Sequence, residues 1–182
     1  NIDAWAIHAE AGYTFKNLPW TPRIGYAYSF ASGDGSPDNG SDRTFKQISP
    51  TQHAHNGYLD VIGWQNMIDH QIHFSVKPTK KLALDAKAHF ISLDQQADNW
   101  YNVGGGIARY GADRYIASDG SNKGTDDDLG QEIDITLKYK MFENFGVVAG
   151  YSHLFAGDFI KDTGSGNDRG VDWFYLQTTV SF

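Results

Sequence analysis

The chain has 182 residues, a length that suits one domain. Its 22 acidic against 15 basic residues, a formal net charge of −7, exclude the basic face that a nucleic-acid binder presents. It has no cysteine, which rules out disulfides, thiol nucleophiles and cysteine-held zinc.

Seven segments alternate strictly between apolar and polar residues. The first is 4–15 (AWAIHAEAGYTF), with Ile7, Ala9, Ala11, Tyr13 and Phe15 on one face and His8, Glu10, Gly12 and Thr14 on the other. In 23–30 (RIGYAYSF), Ile24, Tyr26, Tyr28 and Phe30 oppose Arg23, Gly25, Ala27 and Ser29. In 68–77 (IDHQIHFSVK), Ile68, Ile72, Phe74 and Val76 oppose Asp69, Gln71, His73, Ser75 and Lys77, and His70 falls on the apolar side. In 82–90 (LALDAKAHF), Leu82, Leu84, Ala86, Ala88 and Phe90 oppose Asp85, Lys87 and His89. The cleanest case is 132–141 (EIDITLKYKM), where Ile133, Ile135, Leu137, Tyr139 and Met141 oppose Glu132, Asp134, Thr136, Lys138 and Lys140. Segments 145–155 (FGVVAGYSHLF) and 171–182 (VDWFYLQTTVSF) complete the set. A period of two held this long predicts strands rather than helices.

The connections alternate too. Short ones fall at 16–22, 77–81 and 142–144; long ones, rich in Gly, Ser, Asp and Asn, run 31–67, 91–131 and 156–172. Aromatic residues make up 14% of a chain that is only 40% hydrophobic, with 20 glycines. No apolar run is long enough for a transmembrane helix. Together these features predict an antiparallel transmembrane β-barrel of the outer-membrane kind, with short turns in the periplasm and long loops outside. The competing reading is a soluble β-sandwich or lipocalin-like barrel, whose apolar face would point inward. The closing strand favours the membrane, because Phe182 ends it as outer-membrane barrels commonly end. Phe182 is accordingly read as an assembly signal.

Seven strands raise a parity problem. With the C-terminus in the periplasm the first strand runs downward, and first and last strands would meet in parallel. Single-chain bacterial barrels are even-stranded, and an open edge in lipid leaves backbone groups unpaired at several kcal/mol each. Either a strand lies within 56–66 (NGYLDVIGWQN), or the segment is the C-terminal part of a larger barrel; the second is favoured.

Five stretches carry a specific resemblance: PRIGYAYSFASGD (22–34), HNGYLDVIGWQNMID (55–69), WYNVGGG (100–106), AGYSHLFAGDFIKDTG (149–164) and DWFYLQTTVSF (172–182). In this order they resemble the C-terminal part of the bacterial alginate export family of outer-membrane proteins. The resemblance implies a full barrel of about eighteen strands and passive passage of an anionic polysaccharide, such as alginate, through an Arg/Lys-lined lumen.

The residues assigned to the lumen are five bases (Arg23, Lys77, Lys87, Lys138, Lys140) and five acids (Glu10, Asp69, Asp85, Glu132, Asp134), a balanced lining. Arg23, Lys77, Lys138 and Lys140 lie near the periplasmic ends, a collar that would raise the local concentration of an entering anion. The plainer reading of rim lysines is contact with water or headgroups. Lys87, between Asp85 and His89, reads as half of a structural ion pair with Asp85 or with Glu10, or else as a selectivity element. His8, His73 and His89 read as polar wall.

The loops offer weaker signals. DGSPDNGSD (34–42) and Asp126–Asp128 place carboxylates as calcium loops do, but no glutamate closes a twelve-residue motif, so both read as solvated surface. His53 and His55 form a lone HxH, read as loop packing. GGG at 104–106 lacks the context of a phosphate loop. No nucleophile motif is present, and Ser152 and His153, adjacent on a strand, point to opposite faces. The expectation is a channel rather than an enzyme. It has no cofactor, and its surroundings are outer-membrane lipid, lipopolysaccharide, barrel-insertion machinery and an anionic polysaccharide. The reading from another class is a non-conducting barrel that presents loops for adhesion or assembly.

Overall fold

The computed structural model describes residues 1–37, 39–49, 55–111, 126–164 and 169–182. Seven strands form one antiparallel sheet: β1 (Ala6–Thr14), β2 (Arg23–Ala31), β3 (Met67–Val76), β4 (Leu82–Ser92), β7 (Asp128–Phe142), β8 (Phe145–Ala156) and β9 (Val171–Val180). They are ordered β1-β2-β3-β4-β7-β8-β9, each beside its neighbour in this chain order. A separate two-stranded hairpin, β5 (Trp100–Tyr101) and β6 (Ile107–Arg109), lies in the long connection between β4 and β7. Within the sheet β1 pairs with β2 and β9 with β8, so among the described residues the sheet is open.

The segment 56–66 is not a strand: it is irregular backbone lying between β2 and β3. The last strand stops at Val180 rather than Phe182, because its partner β8 begins at Phe145. One further bond, Ser181 N–H to Asn144 O at 2.9 Å, closes the ladder. β7 instead extends past its expected start to Asp128, since both β4 and β8 reach far enough to pair with it at Gly130.

The register sorts side chains by polarity, and in the sense opposite to that of a water-soluble sheet. Ile24, Ile72, Phe74, Ile135 and Leu176 stand outward at 48–71% exposure. On the other face Ser29, Asp69, Gln71, His89, Glu132, Asp134 and Ser152 are buried. Alternation explains the sorting, but not which face is covered. That depends on where the long loops fold.

All three long connections leave from one end of the sheet, and the apolar core lies beneath them. Ala31, Ile62, Met67, Ile91, Leu93, Leu129 and Leu154 come from strand ends and loops. Phe159 and Ile160 come from the short helix α1 (Asp158–Thr163). Arg109 ties β6 to that helix, donating from Nη1 to Ile160 O (2.7 Å) and Thr163 Oγ1 (3.1 Å), which satisfies a carbonyl left free at a helix end.

Hydrogen bonds lock the loops to one another. Asp98 accepts from Asp34 N (3.0 Å), Thr44 Oγ1 (2.6 Å), Asn99 N (2.7 Å) and the Tyr101 hydroxyl (2.7 Å). Burial, with Asp98 alongside, pushes the Tyr101 phenol up to about 12. Asp34 is itself buried and accepts from Ser36 N and Arg43 N, so the start of 34–42 is packed structure rather than the expected solvated loop. Asp38 and His53 lie outside the described residues. Phe159→Ala is expected to cost roughly 3–5 kcal/mol of cap stability. Amide hydrogen exchange should then speed up in α1 and in 59–66, while the β1–β2 ladder at the short-turn end keeps its protection.

Candidate functional site

The polar face of the sheet divides into three zones. At the short-turn end, Lys77, Lys80, Lys81, Lys138 and Lys140 line a cavity of about 570 Å³, and among the described residues no carboxylate lines it with them. Two of these lysines stand on strands, and Lys80 and Lys81 come from the turn before β4, so the sheet register and a tight turn together gather the charge. Lys81 also donates to Met141 O at 3.2 Å.

In the middle zone, Arg23 lies 3.5 Å from Glu10, and His73 lies 3.9 Å from the same carboxylate. Asp85 pairs with Lys138 at 3.4 Å. Both strand–strand pairs are half-exposed, so each is worth at most about 1 kcal/mol. Lys87 differs from the others. Its two expected partners are engaged elsewhere, Asp85 with Lys138 and Glu10 with Arg23, and among the described residues no carboxylate lies in ion-pair range of its ammonium. It is half-buried between two clefts, one of about 160 Å³ with Arg23, His73 and Asp85, the other of about 100 Å³ with Tyr58, Asp134 and Lys138.

Toward the long-loop end the polar face is sealed. Asp69, His89 and Glu132 are 0% exposed and Asp134 is 2% exposed. His89 Nδ1 lies 2.8 Å from Asp69 Oδ2, and its Nε2 lies 3.5 Å from Asp134 Oδ2, an ion-pair distance without the geometry of a hydrogen bond. Gln71 Nε2 donates to Asp69 (2.7 Å) and Ser152 Oγ to Asp134 (2.5 Å). One imidazole among three carboxylates is a poor nucleophilic site. The serine is bonded to a carboxylate rather than to the histidine, and the group is closed to substrate. His153, on the other face, pairs with Asp172 at 2.8 Å, so the adjacent Ser152 and His153 do diverge.

The seal is the segment 55–66, a strap that folds into the polar side. The Leu59 N–H donates to Glu132 Oε1 at 3.0 Å and the Tyr58 N–H to Asp134 Oδ2 at 3.4 Å. Gln71 Nε2 donates to His55 O at 2.5 Å, and the His55 ring meets His8 of β1 at 4.5 Å. At the other side the Tyr58 ring stacks on Tyr175 of β9, 5.1 Å apart and 8° from parallel. Laid flat, six strand spacings would separate β1 from β9 by ~29 Å, whereas residues 55–58 reach at most about 11 Å. Inward curl of the sheet and long side chains close the gap.

Two glycines make room for this arrangement. Gly57 has φ +91°, and a Cβ there would come within 2.6 Å of the Glu132 carboxylate. A Cβ on Gly150 would enter the Tyr175 ring at about 2.2 Å; without one, the ring lies against the sheet and its hydroxyl meets Thr136 Oγ1 at 2.7 Å. So Glu132 and Asp134, assigned to the lumen wall from alternation, do face the polar side but lie beneath the strap. Among the described residues no three His, Asp or Glu side chains are arranged to hold a metal ion. Asp126 instead accepts from the Asp127 and Asp128 backbone N–H groups.

Alternation identified which side chains share a face, but it carried no sign of the strap. The local signal was in NGYLD (56–60): a glycine and an amide beside an aromatic, in a stretch without a period of two. Gly57→Ala is expected to cost about 1–3 kcal/mol of strap stability through its left-handed backbone and the approach to Glu132. Hydrogen exchange at the Tyr58 and Leu59 amides measures this directly, and both should lose protection.

No curated protein matches the chain. The family model described as alginate export matches residues 1–172, nearly all of it, with both the strap and the lysine-lined end inside the match. The chain therefore belongs to the alginate export family.

Proposed function

We propose that this chain forms part of the wall of an outer-membrane β-barrel channel through which an anionic polysaccharide passes passively. The observation that carries the reading is the inverted sheet: apolar side chains predominate on the outward face and most charged ones point inward, with His70 and the His153–Asp172 pair as the outward exceptions, and every long loop leaves from one end. In water the exposed apolar face would be a large aggregation-prone patch. Against hydrocarbon it is the surface such a barrel needs. Membership of an export family supports the same direction of function.

In this reading the open edges at β1 and β9 pair with further strands of a barrel of about eighteen, because unpaired backbone is too costly in lipid. The short-turn end faces the periplasm. There Lys77, Lys138 and Lys140, with Lys80 and Lys81, attract the polymer. Arg23 and Lys87 carry positive charge further along the wall, with Glu10 and Asp85 moderating it. Glu132 and Asp134 serve the conduit indirectly by holding the strap. Phe182 acts in recognition by the insertion machinery, and the aromatic rims contact lipid and lipopolysaccharide. Passage of this kind requires no bond-making chemistry and no cofactor.

The sealed polar zone under the strap favours one second reading, a non-conducting barrel whose ordered loops serve adhesion or assembly. Planar-bilayer recording of the full-length protein separates the two. The channel reading expects stable single-channel currents with an anion-selective reversal potential, and Lys87→Glu should shift that potential toward cations. An insulating, folded barrel would overturn it. The lipid-facing assignment has its own check in Ile135→Arg. At mid-strand in a bilayer this costs about 2–4 kcal/mol, but at an exposed position in water it stays within about 0.5 kcal/mol. Denaturant titration in lipid vesicles distinguishes these values.

A further inference from the structure

Tyr58 and Tyr175 are held with more care than the anchoring of a loop requires. The strap brings Tyr58 from the long-loop end onto the polar wall, and two backbone N–H groups bound to Glu132 and Asp134 fix its position. Tyr175 comes from β9, its ring laid over Gly150 and its hydroxyl tied to Thr136. The two rings are stacked, and both remain half-exposed. Tyr58 also lines the cleft of about 100 Å³ that contains Lys87 and Lys138, together with Thr136 and two carboxylates, Asp85, which pairs with Lys138, and Asp134, which is buried and bonded to Ser152 and the strap.

This places an aromatic pair beside two cations and two carboxylates; Asp85 pairs with Lys138 and Asp134 is engaged by Ser152 and the Tyr58 N–H, which leaves Lys87 as the cation with no carboxylate in ion-pair range among the described residues. The combination matches one ligand chemistry. A pyranose ring has an apolar C–H face that packs on an aromatic ring, and a uronate adds a carboxylate at its edge for an ammonium. A neutral sugar would use the rings alone, and a simple anion the lysines alone.

We propose that Tyr58, supported by Tyr175 and flanked by Lys87 and Lys138, is a hexuronate-binding step on the conduit wall, which a polyuronate chain engages one ring at a time. The inference rests on the channel reading and adds a named subsite to it. An aromatic step of this kind lets a polymer slide, because each ring exchanges one stacking contact for the next with little net change in energy.

The test is current blockade of the full-length protein in a planar bilayer, with an alginate hexasaccharide as probe and maltohexaose as the neutral control. The hexauronate should interrupt the current for longer than maltohexaose does. Tyr58→Ala should shorten the hexauronate interruptions roughly five- to tenfold, and Tyr58→Phe, which keeps the ring, should restore them. Lys87→Gln should shorten the interruptions by hexauronate and leave those by maltohexaose as they were. Interruptions independent of Tyr58 in a conducting protein would overturn the subsite and leave the channel standing. Equal effects of Lys87→Gln on the two sugars would remove the uronate assignment. A wild-type protein that does not conduct would overturn both readings.

Discussion

A sheet that turns its apolar side chains outward has to accommodate its polar ones on the inside, and most of this structure follows from that constraint. Alternation places Asp69, His89, Glu132 and Asp134 on the inner face, where water cannot reach all of them. Burying a carboxylate without partners costs several kcal/mol. The strap supplies backbone N–H groups at Tyr58 and Leu59, and Gln71 and Ser152 supply side-chain donors. The His89 imidazole lies between Asp69 and Asp134, 2.8 Å from the one and 3.5 Å from the other. The polar face and the strap therefore stabilise each other: the carboxylates hold the strap in place, and the strap covers the carboxylates.

The satisfaction is incomplete. One oxygen each of Asp69 and Glu132 is buried without a hydrogen-bond partner among the described residues. A segment held by a few polar bonds of this sort is less firmly seated than the apolar core beyond it, where Phe159, Ile62 and Leu129 pack at the strand ends. The molecule thus joins a cap with a dry core and a cross-bonded loop framework to a wall whose inner face is organised by hydrogen bonds. Asp98 is the hub of that framework, linking the loop after β2 to the loop after β4.

Charge is graded along the wall as well as balanced across it. Lysines gather at the short-turn end, where Lys138 reaches back to Asp85, paired charges occupy the middle, and buried acids lie toward the long-loop end. Field strength for an anion is therefore greatest where the lysines face open space and weakest where carboxylates are sealed beneath backbone. Lys87 stands between these zones, its charge left over by the pairing of Asp85 with Lys138 and of Glu10 with Arg23.

Strand identity and facing were legible in the sequence because both are local. Ile133, Ile135 and Leu137 against Glu132, Asp134 and Thr136 decide a strand and its two faces with no information from elsewhere, and the tight turn at Glu143–Asn144 sets the next strand's direction. The same period could not say that Lys87 would lose Asp85 to Lys138, since neighbours across a ladder are chosen by register and side-chain reach. Nor could it reveal the strap. Leu59 meets Glu132 across 73 residues of sequence, and Asn66 reaches the Asn99 carbonyl across 33. An irregular loop carries no periodicity, so its position is decided only when the folded sheet offers it buried acceptors. By itself the sequence determined a wall with one apolar and one polar side. Tertiary structure alone decided what lies against the polar side, because that depended on unsatisfied groups which exist only once the strands have come together.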